Sequence, residues 1–205
     1  MDRIDFIAFD IGGVLFNFNH GPAWVRTLPY CEISETLAYE RFYNSGDMVE
    51  SMIGDIDDDT FFRRLAEKLS FQKPVEDLRS IWSSTVEAMP QRIGMVRKLA
   101  NHYRLGVISN ISPFLSQQID TYSDFTQHFE RITYSWQARY VKPRPEIFAA
   151  CLDGLDLHPR NCLFIDDQQR QTDAAAELGW QTLHLAPEDD LASKLLPFNI
   201  HTSIQ

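Results

Sequence analysis

The chain has 205 residues, is 44% hydrophobic and carries a formal net charge of −10. That length fits one domain with a large insertion or two small domains, and the apolar content supports a packed core rather than a disordered chain. The acidic balance excludes a general nucleic-acid binder, which needs a basic stripe to displace counterions. It leaves open a local positive site for a small phosphorylated substrate.

The three cysteines, Cys31, Cys151 and Cys162, are odd in number and irregular in spacing. They form no disulfide framework or zinc motif and read as free thiols in a reducing compartment. Asp2, Asp5 and Asp10 break up the N-terminal apolar stretch. No signal peptide or membrane span fits that pattern, so a cytoplasmic protein with no membrane partner is expected. No pattern in the chain sets an oligomeric state.

The first element is the apolar run Phe6-Ile7-Ala8-Phe9, closed by Asp10 and by Gly12-Gly13. Such a run reads as a buried parallel strand. The paired glycines permit a tight turn and close approach to a ligand. A carboxylate just past the carboxyl end of a parallel strand lies where open α/β sheets bind ligands. A turn-rich exit follows from Phe16 to Pro22. From there to about Pro90 the spacing predicts helices, the last opening at Pro74 and running through Leu78, Ile81, Trp82 and Val86. Residues 17–89 therefore read as a helical insertion without a strand. Within it, Asp55 to Asp59 resembles a calcium loop, but Thr60 and Ala66 stand where an EF-hand needs Gly and Glu. Carboxylates at a helix N-terminus are the favoured reading. Trp24, Tyr43 and Trp82 are assigned to core packing rather than to a site.

Beyond Pro90, strands alternate with helices. A helix over Ile93–Ala100 precedes a strand from Tyr103 to Ile108 that ends in Ser109-Asn110. A helix from Ser112 to Asp120, a short strand near Ile132–Tyr134 and a helix running into Leu152 come next. The strand Asn161–Ile165 ends in Asp166-Asp167. A helix to Leu178, a strand over Thr182–Leu185 and a helix over Leu191–Leu196 complete the chain. This alternation predicts a parallel sheet with helices on both faces.

Three of these strands end in polar residues: Asp10, Ser109-Asn110 and Asp166-Asp167. In a parallel sheet those ends share one edge, and Lys142 sits in a Pro-rich loop able to reach it. Carboxylates hold a hard cation such as Mg²⁺. A cation and a lysine neutralise phosphoryl oxygens while one carboxylate attacks phosphorus. Taken singly, Ser109 reads as a helix cap, Lys142 as a surface lysine and Asp166-Asp167 as a cap. Their order and connection lengths argue for the joint reading.

In these four motifs, FDIGGVL, VISN, the lysine of KPRPEIF and FIDD, the chain resembles the haloacid dehalogenase superfamily over almost its whole length. The spelling is most similar to bacterial sugar-phosphate phosphatases and to the N-terminal phosphatase domain of epoxide hydrolase. The resemblance implies an α/β fold: a Rossmann-like three-layer core of residues 1–16 and 90–205, with residues 17–89 as an inserted helical cap. It implies a Mg²⁺-dependent phosphatase acting on a small phosphorylated metabolite, for example a sugar 1-phosphate, through an aspartyl-phosphate. Asp10 is then the nucleophile. Asp167, with Asp166 beside it, and the Gly12 carbonyl join Asp10 as metal ligands. Ser109 and Asn110 hold the phosphate, and Lys142 bridges it to Asp10. Two positions depart from the pattern. Gly12 replaces the Asp that serves most phosphatases of the family as general acid and base, and Gln171 stands where Asn or Asp is usual. The alternatives are a 2-haloacid dehalogenase and a catalytically impaired binding protein of the same fold.

Overall fold

The computed structural model describes residues 3–83 and 85–201. Among the described residues there are seven strands: β1 (Phe6–Phe9), β2 (Phe16–Phe18), β3 (Val86–Ala88), β4 (Arg104–Ser109), β5 (Arg131–Tyr134), β6 (Cys162–Asp166) and β7 (Gln181–His184). Between β2 and β3 lie α1 (Gly21–Thr27), α2 (Glu35–Tyr43), α3 (Asp47–Met52), α4 (Asp58–Leu69) and α5 (Val75–Trp82). After β3 come α6 (Pro90–Leu99), α7 (Pro113–Asp120), α8 (Ser123–Thr126), α9 (Ser135–Ala138), α10 (Pro145–Leu152), α11 (Gln169–Glu177) and α12 (Leu191–Leu195).

Five strands form one parallel sheet in the order β5-β4-β1-β6-β7. β1 is central, with Phe9 opposite Val107 on one side and Ile165 on the other. Successive residues of a strand face opposite sides of a sheet, and the cores follow that rule. Ile7, Phe9, Leu105, Val107, Leu163 and Ile165 pack on one face with Ile93, Val96 and Leu99 of α6. Phe6, Ala8, Ile108, Cys162 and Phe164 pack on the other with Ile147 and Phe148 of α10 and Ala175 of α11. Both faces are covered, and the central strand β1 is apolar and buried at every position. The result is the expected three-layer α/β core. The cysteines are free thiols, and burial pushes Cys151 and Cys162 up to about 12.

The segment between β2 and β3 has its own apolar cluster, built on Trp24, Phe42, Phe62, Leu69, Leu78 and Trp82. Trp24 and Trp82 thus pack as expected, whereas Tyr43 is exposed. Asp57 caps α4 by accepting from the Thr60 N–H, and Asp58 and Asp59 lie in the first turn, as expected of carboxylates at a helix N-terminus. A second expectation fails as well. Phe16–Phe18 and Val86–Ala88 are not turn and helix but a two-stranded antiparallel ribbon. The chain leaves and re-enters the sheet layer at this point, and the pairing joins residues about seventy apart. Short windows of sequence contain no trace of such a partner.

Gly106 of β4 lies beneath the Phe6 ring, and a Cβ there would stand 2.2 Å from Phe6 Cζ. Both residues are enclosed on the α10 side of the sheet. Gly106→Ala is expected to lower stability by about 1–3 kcal/mol, the usual cost of overpacking. Urea denaturation checks this, and adding Phe6→Leu should recover part of the loss.

Candidate active site

The site is built at the carboxyl ends of β1, β4 and β6. Asp10 follows β1, and its N–H donates to Ile165 O at 2.8 Å, which fixes it beside the carboxyl end of β6. Its side chain is buried. Lys142, 4% exposed, reaches it from the loop between α9 and α10. The ammonium lies 2.9 Å from Asp10 Oδ1 and donates to Asp166 Oδ2 at 2.6 Å. It also sits 5.2 Å from the centre of the Phe164 ring.

Asn110 holds that lysine in place. Its Oδ1 accepts from the Lys142 N–H at 2.7 Å and its Nδ2 donates to Lys142 O at 3.1 Å. This two-point clamp ties the end of β4 to the lysine loop. Ser109, the last residue of β4, is buried on the strand next to Asp10. The loop beyond is pinned by Ser135, which accepts from the Ile111 N–H and donates to Ile111 O. Sequence reading missed Ser135, and nothing in its neighbours Tyr134 and Trp136 marks it.

The two adjacent aspartates differ. Asp166 is fully buried with both oxygens engaged, Oδ2 by Lys142 and Oδ1 by the Gln168 N–H. Asp167 is half-buried, and its Oδ1 is enclosed without a hydrogen-bond donor. Its main-chain oxygen lies 2.9 Å from His184 Nε2. Gly13, with φ +71°, packs directly on it, since a Cβ at Gly13 would fall 2.2 Å from Asp167 Oδ2. Carboxylate oxygens of Asp10, Asp166 and Asp167 gather within 4.8 Å of one another. Gln171, at the second departing position, is buried at the start of α11.

Three carboxylates around one ammonium leave an excess of negative charge. Burial raises the pKa of Asp10; Lys142 opposes the shift and Asp166 adds to it. Burial also raises Asp167, reinforced by the charge of Asp10. For Lys142, burial works against the ammonium, but Asp10 and Asp166 outweigh it and its pKa is raised. An enclosed oxygen on Asp167 without a donor, in an all-oxygen set, fits a hard divalent cation.

Gly12 is also defined by its surroundings. A Cβ there would lie 2.9 Å from Cε2 of Phe18, so the ring fills the space that a side chain at position 12 would take. The β2–β3 ribbon sets that ring in place.

The comparisons with known proteins agree with this architecture. The model of haloacid dehalogenase-like hydrolases matches residues 4–179. The chain belongs to the haloacid dehalogenase-like hydrolase family. It is 22% identical over 183 residues to D-ribitol-5-phosphate phosphatase of Bacteroides thetaiotaomicron, covering 86% of this chain and 89% of that protein. It is 26% identical over 219 residues to mouse acyl-CoA dehydrogenase family member 10, covering 97% of this chain and 20% of that much longer protein. A HAD family enzyme from B. thetaiotaomicron, solved with magnesium and inorganic phosphate, superposes with a TM-score of 0.80 at 22% identity, over 93% of this chain and 98% of that one. The L-2-haloacid dehalogenase of Xanthobacter autotrophicus superposes with a TM-score of 0.63 at 18% identity, over 88% and 76% of the two chains. Among the described residues, no helix is long and apolar enough to cross a membrane.

The raised pKa of Asp167 gives a stability prediction. Its charged form is disfavoured in the folded chain, so the penalty is absent below the ordinary value of 3.8 and complete above the raised folded value. In EDTA at neutral pH, Asp167→Asn should therefore raise Tm, and the gain should vanish as pH falls towards 3.8. Mg²⁺ should raise Tm of the natural protein more than that of the variant. Thermal melts across pH, with and without Mg²⁺, check both points.

Proposed function

We propose that this hydrolase is a Mg²⁺-dependent phosphatase that cleaves a small phosphorylated metabolite through an aspartyl-phosphate on Asp10. The observation that supports the reading best is the pairing of Asp10 with the Lys142 ammonium, next to an Asp167 oxygen that meets no donor. Asp10, Asp167 and the Gly12 carbonyl would hold the metal. Asp166, spoken for by Lys142 and the Gln168 N–H, takes an outer role. When bound, Mg²⁺ neutralises charge on the phosphoryl oxygens.

The chain's own groups then act as follows. An Asp10 carboxylate oxygen attacks phosphorus, and the bond from phosphorus to the leaving oxygen breaks with its electron pair. Lys142 offsets charge on Asp10 and on the transferring group. The Ser109 hydroxyl and the Asn110 N–H hold phosphoryl oxygens. Water next attacks phosphorus, releasing phosphate and the Asp10 carboxylate. The helical block 17–89 acts as a cap that excludes water and selects the substrate. Its approach to the core is visible: the Phe114 N–H of α7 donates to Asp58 Oδ1 of α4, and the Phe62 and Phe114 rings meet at 4.8 Å.

Position 12 shapes substrate choice. General acid catalysis supplies about 10²–10⁴-fold by protonating a leaving oxygen. Gly12 offers no acid, and the Phe18 ring occupies its place. Esters with acidic leaving groups, such as aryl phosphates or sugar 1-phosphates, suit this site better than 6-phosphates. A dehalogenase would use the same nucleophile on carbon and needs no metal, which leaves the Asp167 oxygen unexplained.

Phosphate release from an aryl phosphate and from a glycerol phosphate, each measured with Mg²⁺ and with EDTA, tests the reading. The natural protein should turn over the aryl ester faster and lose activity in EDTA. Asp10→Asn should remain folded and lose on the order of 10³-fold or more, as removal of a nucleophile does. Full activity in Asp10→Asn or in EDTA would refute the mechanism.

A further inference from the structure

Arg92 takes no part in the chemistry described above, yet it is one of the buried charges of the core. It lies in the first turn of α6, on the same face as Val96 and Leu99, and is 7% exposed. Its hydrogen bonds run to main-chain carbonyls of two separate loops. Nη1 donates to Gly13 O at 3.1 Å and Val14 O at 3.2 Å. Nη2 donates to Ala186 O at 3.2 Å, Pro187 O at 3.0 Å and Asp189 O at 3.3 Å. The first loop is the turn that follows Asp10. The second leaves β7, whose His184 contacts the main chain of Asp167. Asp167 is therefore bracketed: Gly13 packs on its carboxylate, and β7 touches its backbone.

We propose that Arg92 is a positioning residue for the acidic cluster, joining the Gly13–Val14 turn to the Ala186–Asp189 loop and so holding Asp167 at metal-binding distance from Asp10. The proposal rests on the metal-dependent reading of that cluster. The side-chain chemistry suits the task. A guanidinium is a planar fork with five donors and serves two loops at once, whereas a lysine ammonium concentrates its three donors at one point. Gly13 has no side chain to anchor it, so its carbonyl is the handle by which the turn is held. If the turn relaxes, the space against Asp167 Oδ2 opens and the carboxylate is free to rotate. Groups that orient metal ligands in this way typically change metal affinity by about 10–100-fold when removed.

The test compares Arg92→Lys and Arg92→Met with the natural protein, using Mg²⁺ alone as the probe. Calorimetric titration of the EDTA-treated, dialysed proteins should show Kd for Mg²⁺ weakened by about 10–100-fold in both variants. Kinetics should show lower kcat at subsaturating Mg²⁺ with KM for the ester nearly unchanged. A merely structural arginine would lower Tm and leave Kd for Mg²⁺ where it was; that result overturns the proposal. In the natural protein, the guanidinium NMR signals of Arg92 should shift when Mg²⁺ is added, a measurement that stands even if neither variant folds. Signals that do not move overturn it as well. If the natural protein itself binds no Mg²⁺, the metal-dependent function fails, and this proposal with it. Normal binding that the variants leave untouched rejects the role of Arg92 alone.

Discussion

One buried ammonium joins the parts of this site. Lys142 Nζ contacts Asp10 and Asp166, and Asn110 fixes the lysine backbone from the end of β4. Two strands are thereby tied to the ammonium and a third to the main chain of the same lysine. Breaking a buried ion pair by removing one partner typically costs about 3–5 kcal/mol, because the other charge stays buried and uncompensated. Here two carboxylates would be left facing each other. The same contact divides the labour between the adjacent aspartates. Asp166 is committed to the lysine, so Asp167 is the one with an oxygen to offer. Burial is the main reason that Asp10 and Asp167 both resist ionisation, and the negative charge of a neighbouring carboxylate adds to it in each case. A divalent cation would offset that negative charge.

The sheet was legible because its central strands are buried on both faces. Phe6–Phe9, Leu105–Ile108 and Cys162–Ile165 carry the continuous apolar signal, and each ends at a polar residue where the sheet edge begins. Asp10, Ser109 and Asp166-Asp167 were found because parallel strand direction places such ends together, and Lys142 because its Pro-rich loop follows in the order and at the connection length that bring it to the same edge. The β2–β3 ribbon was not legible, since its two strands of three residues gain their stability from each other. Arg92 left a fainter mark. A charge at the spacing of Val96 and Leu99 interrupts an apolar helix face, but sequence alone gives no sign that its partners are main-chain carbonyls.

Gly12 joins these two lessons. Its lack of a side chain was plain from the sequence, whereas its reason lies in the ribbon that sequence reading overlooked. Phe18 belongs to β2, and pairing with β3 sets its ring on Gly12. Adding a carboxylate at position 12 therefore requires the ring to move. The neck of the helical insertion and the chemistry at the end of β1 are thus physically linked, and a change in either must be accommodated by the other.

The central claim is that Asp10 carries the phosphoryl group during turnover. Rapid acid quenching of the protein with Mg²⁺ and an aryl phosphate, followed by mass spectrometry of the peptide spanning residues 4–26, tests it most directly. The account predicts that this peptide gains one phosphoryl group, located on Asp10, and that the gain appears and decays within a turnover. Turnover with no phosphoryl group on that peptide at any quench time would contradict the account.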